Sequence, residues 1–386
     1  MANAQPSPAQ PPLGVGSTHT NRSPRRRLSR KKKIILWSVL VCLLMVSGGV
    51  AYGAFYLQSN VLGPASQFVR QVSRGKDEPP VPTYDESSIT SHAWNILLLG
   101  SDNDGKYNFP ALLTQVMMLI HIDPVHNQVW MVSIPRDSWV SVPDIGGMHK
   151  IDQAFILGAT QHNSFDDGVR EARLTIEKDY GVTIDRYAWV GLSGFASVID
   201  TLGGVDIDVT HPIVDDAYPD DTGARVNDPY AYKRLYLEPG PQHLTGEQAL
   251  EYVRSRHADL IGDIGRTERQ QQVLTALKKK LTVTNIFSHL KDIIADLKGK
   301  VYTDLSETEM LAFANFGRSL SDSAVQRLTL GPGQGSQDYG DLSNVYDTSA
   351  GAEQSVVLPN CATIQPVINQ IFVLGSAQSC NVNGSG

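Results

Sequence analysis

Between Ile34 and Leu57 the chain runs for 24 residues without a charged side chain. At ~1.5 Å per helical residue, such a run is long enough to cross a ~30 Å hydrocarbon core. The eight Lys and Arg residues of the first 60 all precede it, from Arg22 to Lys33, and no Asp or Glu occurs there. Basic charge on one flank only holds that flank in the cytoplasm. Small residues around Ala51–Ala54 would suit signal-peptide cleavage. The run, however, is longer than the roughly 7–15 apolar residues of a cleaved signal. Beside it the basic stretch reads as a topogenic signal rather than a nucleic-acid patch. The expectation is a cytoplasmic tail at 1–33, a single transmembrane helix at 34–57 and an extracytoplasmic body. The location is then the cell membrane.

That split changes the meaning of the net charge of −7. Without the tail, 25 basic residues face 40 acidic ones, a balance of −15. A body this acidic is a poor binder of nucleic acid, and any polyanion it holds must meet a local basic patch. With 41% hydrophobic residues and a mean hydropathy of −0.18, the chain is neither polytopic nor wholly disordered. Three cysteines cannot make a disulfide scaffold or a four-cysteine zinc site. Cys42 falls in the apolar run. Cys361 and Cys380 fall in the exported part, where they either pair or stay as thiols. A bridge there would stabilise by about 3 kcal/mol.

Residues 58–92 are mixed and polar, with Pro79, Pro80 and Pro82, and read as a stalk. From Trp94 onward strand-like and helix-like patches interleave. Asn95–Leu99, Val116–Ile122 and Val129–Ile134 read as strands, as do Thr183–Val190, Val205–Val209 and Ala324–Leu330. Helical patterns fall at Asp152–Gly158, Asp166–Tyr180, Ser193–Leu202, Gly246–Tyr252, Thr267–Leu281, Thr284–Leu297 and Ser306–Leu320. Residues 331–350 are rich in Gly, Ser and Asp and read as loop. This interleaving predicts an α/β fold: one large α-β-α layered domain with a mixed central sheet over 93–330. Residues 331–386 would form a C-terminal extension packing back on it.

The densest polar chemistry lies in Tyr252-Val-Arg-Ser-Arg-His257 and in Asp263-Ile-Gly-Arg-Thr-Glu-Arg-Gln-Gln271. On an extended strand Arg254 and Arg256 would face one side. On a helix Arg266, Arg269 and Gln270 would share a face. Arg136 follows a strand end, where functional loops gather. Five guanidiniums converging in an acidic body need an anion among them, and Arg is suited to bidentate phosphate recognition. A pyrophosphate is the natural guest.

Upstream lie Asn95-Ile-Leu-Leu-Leu-Gly-Ser-Asp102, Val132-Ser-Ile-Pro-Arg-Asp137 and Leu202-Gly-Gly-Val-Asp206. In this order the five blocks resemble the LytR-CpsA-Psr family, bacterial envelope proteins that attach glycopolymers to the cell wall. The resemblance runs from about Trp94 to Leu281. It implies phosphotransfer from a polyprenyl-pyrophosphate-linked glycan to a hydroxyl of peptidoglycan or another wall polymer. It also implies a catalytic set of Arg136, Arg254, Arg256 and Arg266, joined by Asp263, which either orients or deprotonates the acceptor hydroxyl or pairs with Arg254 or Arg266 and holds it in place. Arg269, Gln270 and Lys150 would support the substrate, Lys150 either at the site rim or structurally. Asp102 would hold Mg2+, and His257 would support the arginines.

The chain departs from the family pattern in its first two motifs. The first usually reads Gly-x-Asp-x-Arg, and here Asp104 stands at the Arg position. The second usually reads Arg-x-Asp-Thr, and here the matching residues are Leu113, Thr114, Gln115 and Val116. One arginine and one metal-binding aspartate are thus replaced. Gln115 and Asp104 are the substitutes on offer as metal ligands. The competing reading is an envelope protein that binds polyprenyl pyrophosphate or glycopolymer without turning it over.

Overall fold

The computed structural model describes residues 68–75, 78, 89–102, 108–220, 231–255, 263–280, 292–293, 295–333, 338–348, 350–372 and 379–383. The chain divides into a unit at Met1–Tyr56 and a unit at Leu57–Gly386. The expected tail and transmembrane helix lie outside the described residues, as does most of the helix expected at Thr284–Leu297. Among the described residues no helix is long and apolar enough to cross a membrane.

The domain opens with three strands, β1 (Trp94–Ser101), β2 (Thr114–Asp123) and β3 (Gln128–Ile134). A small hairpin, β4 (Trp139–Ser141) and β5 (Met148–Lys150), leads to helices α1 (Ala154–His162) and α2 (Phe165–Tyr180). Then come β6 (Arg186–Gly191), α3 (Leu192–Thr201), β7 (Val205–Val209), β8 (Ile213–Pro219), β9 (Tyr232–Leu237) and β10 (Gly240–Leu244). Helices α4 (Gly246–Arg254) and α5 (Asp263–Lys280) follow, then β11 (Val301–Thr303), α6 (Glu307–Ser319) and β12 (Val325–Thr329). The hairpin of β13 (Gly340–Asp347) and β14 (Ala352–Pro359) precedes α7 (Cys361–Ile371).

The central sheet has the order β11-β6-β1-β2-β3-β12. It is mixed: β1 runs parallel to β6 and antiparallel to β2, and β3 runs parallel to β12. Because side chains alternate across a strand, each face collects its own core. Leu97, Leu99, Met117 and Leu119 meet Phe155 of α1, Val169, Ala172 and Ile176 of α2, and Ile364 and Ile368 of α7. On the other face Trp94, Ile96 and Ile122 meet Phe313 and Phe316 of α6. The expected α-β-α layering around a mixed sheet is therefore what forms. A third cluster stands apart, built from α3, α4, α5 and the hairpins: Ile199, Val205, Ile207, Leu235, Tyr252 and Val273.

Two expectations need correction. The described part of the stalk packs on the domain: Phe68, Val72 and Ile89 are buried, Val69 bridges to Thr303 beside β11, and Arg74 pairs with Glu177 of α2. Its polar composition hid these few anchors. The loop expected at 331–350 contains β13, whose mostly exposed residues show no apolar period because its partner is only β14. The C-terminal segment packs back on the domain and reaches its main core, where Ile364, Ile368, Ile371, Phe372 and Val382 lie. Cys361 and Cys380 are disulfide-bonded, which tethers residue 380 to the start of α7.

Candidate functional site

Strand ends of the central sheet present the first half of the site. Asp102 follows β1, Arg136 follows β3 after Pro135, and Leu192 follows β6. Ligands in open α/β sheets gather beyond such carboxyl ends. Gln115 arrives from the start of β2 through a local irregularity. Gly100 pairs with Val116 and Ser101 with Thr114, so Gln115 is the extra residue. A bulge of this kind re-aims a side chain.

The second half comes from the separate cluster. A capping box at Thr245 and Gln248 starts α4, which runs through Arg254. Arg254 is therefore the last residue of a helix and not part of an extended strand. A cation in the last turn complements the helix dipole. Arg256 and His257 lie outside the described residues. Helix α5 begins at Asp263 and carries Arg266 and Gln270 one turn apart.

The two halves enclose a cavity of about 560 Å³. Its lining brings together Asp102, Gln115, Arg136, Arg254, Arg266 and Gln270, six of the residues singled out in the sequence. Leu113, Val116, Ile156, Leu192 and Val253 supply an apolar wall. Among the described lining residues three guanidiniums face the two carboxylates of Asp102 and Asp215, leaving a positive cavity in an acidic body. An amphiphilic anion suits such a lining.

Arg136 is held on several sides. Its Nη2 lies 3.0 Å from Asp152 Oδ2, its Nη1 donates to Gln115 Oε1, and its backbone carbonyl accepts from Asp152 N–H at 3.1 Å. Burial pushes the Asp152 carboxyl up to about 6, against the pull of Arg136. Asp102 is 4% exposed. Its Oδ1 accepts from Leu113 N–H at 2.9 Å and its Oδ2 from Gln115 Nε2 at 3.2 Å.

Two expected support residues stand elsewhere. Arg269 does not line the cavity. It turns into the protein, 3% exposed, and donates from Nε to Tyr252 O at 2.7 Å and from Nη2 to Ser255 O. In that position it clamps the end of α4 that carries Arg254. Lys150 Nζ bonds Asp137 Oδ1 at 2.8 Å, beside the backbone of Arg136 and outside the lining. Sequence reasoning missed Asp152 and Asp215. Asp215 accepts from Ser255 Oγ at 2.8 Å and ties hairpin β8–β9 to the end of α4. Nothing in its local sequence marks it. Asp152 sits in the stretch around Lys150, where its neighbour drew the attention. Tyr218, with Arg254 5.9 Å over its ring, is another lining residue that only the fold reveals.

For magnesium, the residues in view do not make a fitting donor set. Asp102 and Gln115 do come together, but both carboxylate oxygens of Asp102 accept N–H bonds, and the Gln115 amide oxygen is engaged by Arg136. Asp104 lies outside the described residues. Among the described residues no group of three or more His, Cys, Asp or Glu is placed to hold a metal ion. Oxygen ligands are what magnesium requires.

The chain is similar to known proteins over most of its length. The LytR_cpsA_psr family model matches residues 64–356. A relative from Bacillus mycoides (strain KBAB4), named polyisoprenyl-teichoic acid–peptidoglycan teichoic acid transferase TagU, is 31% identical over 281 residues, covering 72% of this chain and 82% of its own. Among solved structures, gbs0355 from Streptococcus agalactiae superposes with a TM-score of 0.58 at 21% identity, covering 79% of this chain and 95% of that one. TagV from B. subtilis gives 0.54 at 24% identity, covering 72% and 96%. These two likenesses concern the fold.

Proposed function

The chain belongs to the LytR-CpsA-Psr family, and on that premise we propose that it is an extracytoplasmic phosphotransferase moving a glycopolymer from a polyprenyl-pyrophosphate carrier to a hydroxyl of the cell wall. The observation that carries the reading is the convergence of Arg136, Arg254 and Arg266 on one cavity with an apolar wall. The relative's name gives the transferred polymer as teichoic acid and the acceptor as peptidoglycan. For this chain the class of polymer is a wall glycopolymer. The apolar run at 34–57 serves as the membrane anchor.

In the reaction the acceptor oxygen forms a bond to the sugar-proximal phosphorus. The bridging P–O bond to polyprenyl phosphate breaks, and a phosphodiester remains. The acceptor proton passes to a base, a role proposed for Asp263 at the first position of α5. Negative charge grows on the departing phosphate, and fixed guanidiniums stabilise it without reorganising. Arg136 acts from the sheet side, Arg254 and Arg266 from the helix side. Arg256 lies two residues past Arg254 in sequence and is proposed for the same group. Gln270 adds a neutral donor, while Arg269 positions rather than binds.

Arg254→Ala should weaken binding of a polyprenyl pyrophosphate by about 1.5–3 kcal/mol, roughly 10- to 100-fold. Arg254→Lys should recover little, because an ammonium lacks the planar fork. Isothermal titration with farnesyl pyrophosphate measures both, and unchanged affinity in Arg254→Ala would remove the assignment. Leu113 and Gln115 favour the second reading, a binder without turnover. Intact pyrophosphate binding with no product from lipid-linked glycan and peptidoglycan would establish it.

A further inference from the structure

Gln115 stands between two opposite charges. Its Nε2 donates to Asp102 Oδ2 at 3.2 Å, and its Oε1 accepts from Arg136 Nη1. Arg136 continues to Asp152 at 3.0 Å. The result is an unbroken run of carboxylate, amide, guanidinium and carboxylate, of which the first three members line the cavity. The amide's orientation follows from its neighbours. Turned over, its oxygen would face a carboxylate and its NH2 a guanidinium, both repulsive.

This arrangement disfavours what a second carboxylate at position 115 would allow. A divalent ion on Asp102 would have to share Oδ2 with the Gln115 N–H donor or displace it. It would then face either that NH2 group or, after an amide flip, an oxygen taken away from Arg136. A buried amide bridging two charges is worth more intact than half-satisfied. The Leu113 N–H on Oδ1 further spends the charge of Asp102. Meanwhile the amide oxygen holds Arg136, which also pairs with Asp152 and Asp137, one side chain away from Asp102.

We propose that in this protein the cation coupled to Asp102, through the Gln115 amide, is Arg136 and not a divalent metal ion. Capture of the pyrophosphate, which rests on the function proposed above, then proceeds without magnesium. Gln115 is a positioning residue: it touches no reacting atom and acts through the placement of Arg136.

Two measurements on the purified exported domain test this. In the first, Mn2+ alone is titrated into wild type and Gln115→Asp while the amide resonances of residues 113 and 115 are followed by NMR. Wild type should show no saturable broadening, and Gln115→Asp should show it, because the variant pairs two carboxylates. Saturable broadening in wild type overturns the proposal whatever the ligand is. In the second, farnesyl pyrophosphate is titrated in excess EDTA and in magnesium chloride. Wild-type affinity should agree within about twofold between the two, whereas magnesium should tighten Gln115→Asp by about tenfold or more. A magnesium gain of that size in wild type also overturns the proposal. Absence of farnesyl pyrophosphate binding under every condition would instead remove the proposed function, and the Mn2+ titration would still decide the metal question.

Discussion

At the scale of single residues, Asp152 is the most informative group the site contains. Burial raises its pKa to about 6, so it is ionised at neutral pH and offsets part of the Arg136 charge. As pH falls through about 6 it becomes neutral, which removes one carboxylate competing with the anion for Arg136, while Asp137 Oδ1 stays 3.7 Å from its Nε. Farnesyl pyrophosphate should therefore bind tighter at pH 5.5 than at pH 7.5 by roughly two- to tenfold. Asp152→Asn should flatten that profile, and titrations at the two pH values check it. The stability sign is the same as for any carboxyl raised by burial: the contribution is present at low pH and lost as pH rises through the folded pKa. Asp179 shows this more strongly, with burial pushing it up to about 9. Stability should fall as pH climbs from about 4 toward 9. Asp179→Asn should raise the melting temperature at pH 8 and lose its advantage near pH 4.

At the scale of elements, the placement of α4 decides where Arg254 points. Gly246, its first residue, donates N–H to Asp200 Oδ1 at 2.7 Å, and a Cβ there would fall on the carbonyl oxygen of Ala196 in α3. Only glycine lets the two helices approach so closely. Gly246→Ala should lower stability by about 1–3 kcal/mol through overpacking. It should also weaken farnesyl pyrophosphate binding, although residue 246 is a full helix away from the ligand. Chemical denaturation and calorimetric titration of the variant separate the two effects. The Gly203-Gly204 stop was legible in the sequence, since both residues take positive φ where α3 ends. The need for glycine at 246 was not, because it arises from a neighbour some 50 residues earlier in the chain.

At the scale of the whole molecule, the C-terminal segment closes one face of the sheet. The disulfide at Cys361 and Cys380 brackets α7, whose Ile364 and Ile368 are fully buried. Replacing both cysteines by Ser should cost about 3 kcal/mol, read as a lower midpoint in urea with little change in slope. Deleting 361–386 should abolish cooperative unfolding, because it strips Ile364, Ile368, Ile371, Phe372 and Val382 from the main core. Topology is tested with the full chain. A reporter fused after Gly386 should be active only if it works in an exported compartment, and cytoplasmic activity would end both the topology and the proposed function.

Local physics made much of this protein readable in advance. Apolar runs bounded by Gly and Pro marked β1, β2, β3 and most helices, because burial of a strand or helix face leaves a period in the chain. Clustered arginines marked a polyanion site, because like charges crowd only where something answers them. Pairing and enclosure were another matter. Whether Arg254 ends a helix, whether Arg269 turns inward, whether Asp152 pairs with Arg136 and whether Asp215 reaches the cavity depend on residues elsewhere in the chain. The meaning of Gln115 is the clearest case. Its sequence shows an amide where a carboxylate would serve a metal, but only folding sets that amide between Asp102 and Arg136, where it links one charge to the other.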